Sequence, residues 1–382
     1  MRVLVAFDKF KDALTARQAC ATAAGALRAK HPDWTLDLCP LTDGGEGFTE
    51  TLTHAAAGRL ELVEVMGPRG RQIPAPIGYI DQDRVPPPAR ACLPIENRES
   101  QIENFLAVIG LASASGIELL AQDQRDPWKT TTLGTGELLA RAAKKAGIIL
   151  LGVGGSATND LGLGALAALG FKFFAANGTP VAVPTPDQWE RITRIEPATL
   201  HLPPIFIACD VTNPLLGPHG ATATFGPQKG LAAIDGPKLE TQMARLAALL
   251  CQTCGKSLAL ADTPGTGATG GFPFGLMVGA GAKIVPGFDL VSAWLDLPAR
   301  LAAADLIITG EGRFDAPSLA GKGPGSLVRE ARRLGKPVHV FTGSLGVAED
   351  DEFHVISPPS LPLAEALLRS AEFLAAAVTR AL

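Results

Sequence analysis

The sequence predicts an α/β protein: a discontinuous flavodoxin-like parallel-sheet domain supplied by the two ends of the chain, with an inserted second α/β domain. Three observations carry this expectation. Short continuous apolar runs, typical of strands covered on both faces of a parallel sheet, occur near both ends. Segments with helical apolar spacing alternate with them. The middle has strand and helix patterns of its own, broken by proline- and glycine-rich stretches.

Val3-Leu4-Val5-Ala6-Phe7 is the first strand. Thr15 and Gln18 form a capping-box pattern that opens a helix; Ala16, Ala19, Cys20, Ala23 and Leu27 then recur at helical spacing, and His31-Pro32 ends it. Thr35 to Cys39 is the second strand, followed by the loop Asp43-Gly44-Gly45-Glu46-Gly47. Toward the other end, Leu306-Ile307-Ile308, Val338-His339-Val340-Phe341 and Phe353-His354-Val355-Ile356 read as strands, with helices at Gly325 to Leu334 and Leu363 to Leu382. These five strands form one parallel sheet in flavodoxin-like order if the two ends meet. The strand-like segment Leu60 to Met66 breaks at Gly67-Pro68-Arg69-Gly70, so the expected division is 1–66 with 287–382 for this domain and 67–286 for the insertion. Within the insertion, Pro86-Pro87-Pro88 marks an irregular excursion, Gly136 to Ala146 a helix, and Ile148 to Val153 and Ile205 to Cys209 buried strands.

Composition narrows the function classes. Gly 42 and Pro 30 of 382 residues make about 19%, against roughly 12% on average, yet 47% of residues are hydrophobic, so the chain folds. A net charge of -4 and 5% aromatic residues disfavour nucleic acid as a partner. Cys20, Cys39, Cys92, Cys209, Cys251 and Cys254 are scattered, as suits reduced thiols in a cytoplasmic protein, and the lone CxxC at Cys251 and Cys254 lacks the second ligand pair that structural zinc needs. Asp8 and Lys9 stop the first apolar run too early for a signal peptide. The uncharged stretch Thr263 to Ala282 has the length of a membrane span, but its glycines and prolines suit loops and close backbone contacts, so no membrane partner is expected.

Candidate chemistry lies in glycine-rich loops and strand-end carboxylates. Gly154-Gly155-Ser156-Ala157-Thr158-Asn159-Asp160 follows the strand Ile148 to Val153 and precedes an apolar helix pattern, the arrangement of a phosphate or carboxylate cradle. Gly152 to Ala157 also spells GxGxxA, but the acidic residue a dinucleotide site needs about 20 residues on is missing from Phe171 to Gly178. Gly265 to Gly270 spells GxGxxG without a preceding strand. Asp8, Asp43 with Glu46, Asp210, and Glu311 with Asp315 each follow a predicted strand, and Lys9, Lys11, Lys229, Arg313 and Lys322 lie beside these loops. Carboxylates and cations gathered at a sheet edge suit phosphoryl transfer.

A family resemblance rests on Val5 to Lys11, Asp43 to Gly47, Thr132 to Glu137, Gly154 to Asp160, Ala208 to Pro214, Phe225 to Gly230, Pro264 to Gly271 and Ile308 to Arg313. Through these ordered segments the chain resembles the bacterial-type glycerate kinases (glycerate 2-kinase). The resemblance implies ATP-dependent, Mg²⁺-assisted phosphorylation of D-glycerate, to 2-phosphoglycerate or 3-phosphoglycerate, in the cytoplasm, with the site in a cleft. The chain departs from the family pattern at Gly110, where a Glu is usual, at Asp12-Ala13 in place of Gly-Ser, and at Leu161 in place of Gly. On this basis Gly154, Gly155, Ser156 and Thr158 are expected to cradle an anion, and Gly265, Gly267, Gly270 and Gly271 to form a second backbone wall. Asp210 or Asp43 would orient the hydroxyl or Mg²⁺, Glu311 would bind Mg²⁺, and Lys11, Lys229 and Arg313 would bind phosphate or the substrate carboxylate. An NAD-dependent hydroxyacid oxidoreductase and a catalytically silent ATP- or glycerate-binding sensor are the alternatives, and a homo-oligomer stays open.

Overall fold

The structure, a computed structural model, describes residues 1–93, 105–199, 201–315, 318, 323–347, 351–358 and 360–382. Its strands are β1 (Arg2–Phe7), β2 (Thr35–Leu38), β3 (Arg59–Met66), β4 (Gln72–Asp81), β5 (Phe105–Gly110), β6 (Ile148–Gly152), β7 (Lys172–Ala175), β8 (Ile192–Glu196), β9 (Ile205–Cys209), β10 (Lys283–Pro286), β11 (Leu306–Phe314), β12 (Val338–Leu345) and β13 (Phe353–Val355). The chain divides into two compact units, one of Met1–Asp43 with Val291–Leu382, the other of Gly44–Leu290.

The first unit holds a five-stranded parallel sheet in the order β13-β12-β11-β1-β2. Numbered within the unit this is the flavodoxin-like order 2-1-3-4-5. The interior strand β1, flanked by β11 and β2, is buried from Val3 to Phe7, which explains why its apolar run does not alternate. On one face Val3, Val5 and Phe7 pack with Ala19, Ala23 and Leu27 of the helix Ala16–Lys30 and with Leu374 and Val378 of the helix Ser370–Ala381. The capping box is present as read: the Thr15 hydroxyl accepts from the Gln18 amide, and the Gln18 side chain accepts from the Thr15 amide.

The second unit is built on a six-stranded sheet in the order β10-β9-β6-β5-β4-β3, in which β5, β6, β9 and β10 run parallel and β3 and β4 antiparallel; β7 and β8 form a separate hairpin. Ile149, Leu151, Ile207, Leu139, Leu166, Phe272, Phe274, Met243 and Leu246 meet in its core.

Three features differ from the sequence reading. The chain leaves the first unit at residues 43/44 rather than 66/67, because β3 pairs along its length with β4 and Gly67 to Gly70 is the hairpin turn between them: the Gly67 amide donates to the Arg71 carbonyl and Gly70 is left-handed, φ 85°. It returns at residues 290/291, inside the helix Gly287–Trp294. Part of Thr263 to Ala282, read as loop, is the buried helix Phe272–Ala280. Asp12 and Leu161, two of the departures noted above, are non-glycine residues with left-handed backbone, φ 59° and 56°.

Candidate active site

In the first unit, β1 and β11 run side by side up to Phe7 and Gly310, and β11 continues to Phe314. Beyond Phe7 the Asp8 amide donates to the Gly310 carbonyl at 3.0 Å, and the Gly312 amide donates to the Lys9 carbonyl at 3.3 Å. This places Asp8, Lys9 and Glu311 at the carboxyl edge of the sheet, where ligands of open α/β folds collect. Asp43, in the segment after β2, pairs with Lys9 at 3.4 Å. Asp8 is 6% exposed; its Oδ1 accepts from the Lys9 amide at 2.7 Å. Burial pushes the Asp8 carboxyl up to about 6, with Lys9 opposing and Asp43 adding to the rise. Burial pushes Glu311 up to about 8, opposed by a hydrogen bond from Ser318 and helped by the charges of Asp8, Asp43 and Asp315. The Glu311 Oε1 is buried without a hydrogen-bond partner.

The structure thus brings together Asp8, Lys9, Asp43 and Glu311. Arg313 points into solvent, 72% exposed, and pairs with Asp315 at 3.1 Å; Lys11 is exposed on the turn abutting Gly312. Lys322 lies outside the described residues. Asp8 was not assigned a role by the sequence reading. Its signal was available: an acid ending an apolar strand, followed at once by a lysine.

In the second unit the parallel strands β6, β9 and β10 end beside two glycine-rich loops that lie backbone on backbone. A Cβ on Gly154 would stand 2.9 Å from both the N and the Cα of Gly45, and one on Gly152 2.7 Å from the Gly44 carbonyl oxygen. Gly44 itself is left-handed at φ 88°. Gly155 is exposed, Gly154 half-buried and Ser156 buried. The turn is braced from one side: the Ile117 amide donates to the Gly155 carbonyl, and the Ala157 amide to the Ser115 carbonyl. At the end of β9, Asp210 is half-buried, and its Oδ1 accepts from the Phe288 amide at 2.8 Å. Gly110 donates its amide to the Thr49 hydroxyl at 2.7 Å, and a Cβ there would meet that hydroxyl at 3.3 Å.

Several candidates are interior. Thr158 is fully buried, its hydroxyl without a partner, and its carbonyl accepts from the Lys229 Nζ at 2.6 Å. Burial drives the Lys229 ammonium down to about 7, with Asp160 opposing. Asp160 is buried but satisfied: Thr132 donates to Oδ2 through its amide and hydroxyl at 2.7 and 2.8 Å, and the Gly162 and Gly164 amides donate at 3.2 and 3.3 Å. Gly265, Gly267, Gly270 and Gly271 are buried as well. A Cβ would lie 2.1 Å from the Pro214 carbonyl oxygen at Gly267 and 2.3 Å from the Asn159 Cα at Gly270. Glycine is required at both for packing inside the unit.

Other chemistries find less. The GxGxxG at Gly265 to Gly270 follows the 3₁₀ turn Leu258–Asp262 instead of a strand. Among the described residues no group of three His, Cys, Asp or Glu side chains is arranged to hold a metal ion alone, no disulfide joins the cysteines, and no helix is long and apolar enough to cross a membrane.

Comparison with known proteins identifies the family. A model of the glycerate kinase family matches residues 3–381. Glycerate kinase of Bacillus subtilis (strain 168) is 33% identical over 98% of this chain and 95% of its own length, and glycerate 2-kinase of Escherichia coli (strain K12) is 34% identical over 90% and 86%. The crystal structure of a protein assigned as glycerate kinase 2 from Salmonella typhimurium LT2 superposes with a TM-score of 0.75 at 35% identity, covering 100% of this chain and 96% of that one. On these grounds the chain belongs to the glycerate kinase family and is a kinase.

Proposed function

We propose that the protein transfers the γ-phosphoryl group of ATP to D-glycerate, at the 2-hydroxyl, giving 2-phosphoglycerate. The observation that carries the reading, beside family membership, is the gathering of Asp8, Asp43 and Glu311 at one sheet edge, with Lys9 beside the two aspartates. The relative from Escherichia coli named a glycerate 2-kinase supports the position of transfer.

Mg²⁺ fits the same edge. The buried, unpartnered Glu311 Oε1 and the adjacent Asp8 carboxylate are hard oxygen donors, and Mg²⁺ beside a nucleotide is commonly held by one or two carboxylates plus phosphate oxygens. Bound there, the ion would neutralise charge on the phosphates. Asp8 and Glu311 would hold it; Asp43 and Asp210 are the candidates to orient the accepting hydroxyl and receive its proton. Gly154, Gly155 and Ser156 present backbone amides and a hydroxyl to an anionic group, whether phosphate or the glycerate carboxylate. Lys11 and Arg313, exposed and long, would neutralise the ligands' charge. Six cysteines without a disulfide suit the cytoplasm.

The test is glycerate-dependent release of ADP from ATP in the presence of Mg²⁺, with the product identified by ³¹P NMR. Turnover to 2-phosphoglycerate is expected. Formation of 3-phosphoglycerate would correct the position of transfer, and no glycerate-dependent ADP would end the reading.

A further inference from the structure

A buried positive charge backs the Gly154–Ser156 turn. Lys229 ends the short 3₁₀ turn Pro227–Lys229, and Gly230 closes it in the left-handed region at φ 92°. A Cβ on Gly230 would lie 2.3 Å from the Arg125 carbonyl oxygen, so the turn is pinned beneath the segment carrying Arg125. From there the lysine runs inward: it is 2% exposed, and its Nζ donates to the Thr158 carbonyl at 2.6 Å. Thr158 is two residues beyond Ser156, which keeps the carbonyl within about 7 Å of the turn. No carboxylate among the described residues pairs with the ammonium directly. Asp160 bears on it electrostatically but has both oxygens engaged by Thr132, Gly162 and Gly164. The segment carrying Arg125 also bears Asp123, and Asp126 paired with Lys129 at 3.4 Å; Thr158, Asn159 and Thr269 add uncharged atoms, each including one oxygen without a partner.

An ammonium buried without a counter-ion is costly, and an apolar side chain of the same length would avoid that cost. We propose that Lys229 is a positioning residue forming the electrostatic back of the Gly154–Ser156 anion site, strengthening its hold on a carboxylate or phosphoryl group without touching the ligand. This rests on reading that turn as an anion site, as proposed above. The coupling is reciprocal: an anion on the turn stabilises the charged lysine, just as the charged lysine stabilises the anion. Burial already leaves the lysine near the point of losing its proton at neutral pH, so ligand binding above that point draws a fraction of a proton from solvent onto the Nζ lone pair.

Calorimetric titration in two buffers of different ionisation heat measures that uptake. D-glycerate and Mg²⁺–ADP, titrated separately, distinguish a carboxylate on the turn from a phosphate. For a coupling of about tenfold, one of the two ligands takes up about 0.4 proton at pH 8 and about 0.1 at pH 6. Lys229→Arg, charged throughout, is expected to show no Lys229-linked uptake at either pH and to keep its affinity at pH 8. Lys229→Met is expected to lose the uptake and to bind about tenfold more weakly than wild type at pH 6. Should Lys229→Met fail to fold, the arginine variant carries the test. Binding with equal uptake in wild type and Lys229→Arg overturns the proposal alone. Failure of either ligand to bind overturns the kinase reading and this proposal with it.

Discussion

At the end of β1, alongside β11, the first unit gathers side chains, three carboxylates with Lys9 paired to Asp43, whereas at the ends of β6 and β9 the second unit gathers main chain, with Gly152 and Gly154 laid against Gly44 and Gly45. Asp8 and Glu311 sit in a partly dry setting that raises their proton affinity, so their charge depends on pH and on what binds. Backbone amides do not titrate, and their position is set by glycine packing. Even a shared feature differs. Asp160 is fully buried and Glu311 half-buried, yet Asp160 accepts four hydrogen bonds while the Glu311 Oε1, itself buried, accepts none. A buried acid with both oxygens engaged holds loops together; a buried oxygen left unpaired is available to a ligand.

The contrast is open to direct attack, beginning with the charged edge. Asp8→Asn keeps the shape and removes the charge, and kcat for ADP release is expected to fall about 10² to 10³-fold with KM changed only a few-fold. A kcat within tenfold of wild type would take Asp8 out of the chemistry. Thr132→Val deprives the satisfied acid of its hydroxyl donor, and chemical denaturation is expected to show a loss of about 2 kcal/mol. Glu311→Gln, by contrast, is expected to abolish most turnover without lowering stability; equal destabilisation of the two variants would erase the distinction between them. On the glycine-rich edge, Gly154→Ala forces a Cβ against Gly45 and is expected to raise the KM of one substrate about tenfold, with kcat nearly unchanged.

The two edges also pull stability in opposite directions with pH. Glu311 binds its proton more tightly folded than unfolded, so its contribution is complete below its unfolded value of 4.5 and is lost as pH rises through about 8. Lys229 binds its proton less tightly folded, so its contribution grows as pH rises from about 7 toward 10.5. Thermal midpoints measured across pH should show Glu311→Gln flattening the first slope and Lys229→Met the second. The smallest effect is expected at exposed Asp12, held at φ 59°, where Asp12→Gly should stabilise by roughly 0.5 kcal/mol in the same melts.

Elements dominated by one local rule were legible in the sequence. Four strands of the first sheet announced themselves as apolar runs, the second strand, from Thr35, followed the first helix, and Thr15 with Gln18 fixed where that helix starts. β4 was hidden by Pro74 and Pro76, yet both lie outside its ladder with β5, which begins at Gly78, so neither missing N–H disturbs that pairing. The helix Leu133–Ala142 starts before Gly136 because Gly134 and Gly136 are interior positions, each pressed on another backbone, where glycine would ordinarily signal a break. For the site, strand-end position was enough to single out the carboxylates. It could not separate Gly154, at the surface of its loop, from Gly267 and Gly270, which need glycine for packing alone. Nor could it show that Lys229 turns inward, because burial of a lysine is decided by distant segments.

The pairing of β1 with β11 bears on how the protein is made. Thr309 donates to the Ala6 carbonyl across 303 positions of sequence, so β1, an interior strand of the first sheet, is synthesised early and gains that neighbour only late. Gly44–Leu290 is one continuous stretch, able to fold while the ribosome is still at work. Val3 to Phe7 meanwhile remain an unshielded sticky segment, and a chaperone that holds such segments until translation ends would improve the yield of this chain more than that of a protein with sequential strands.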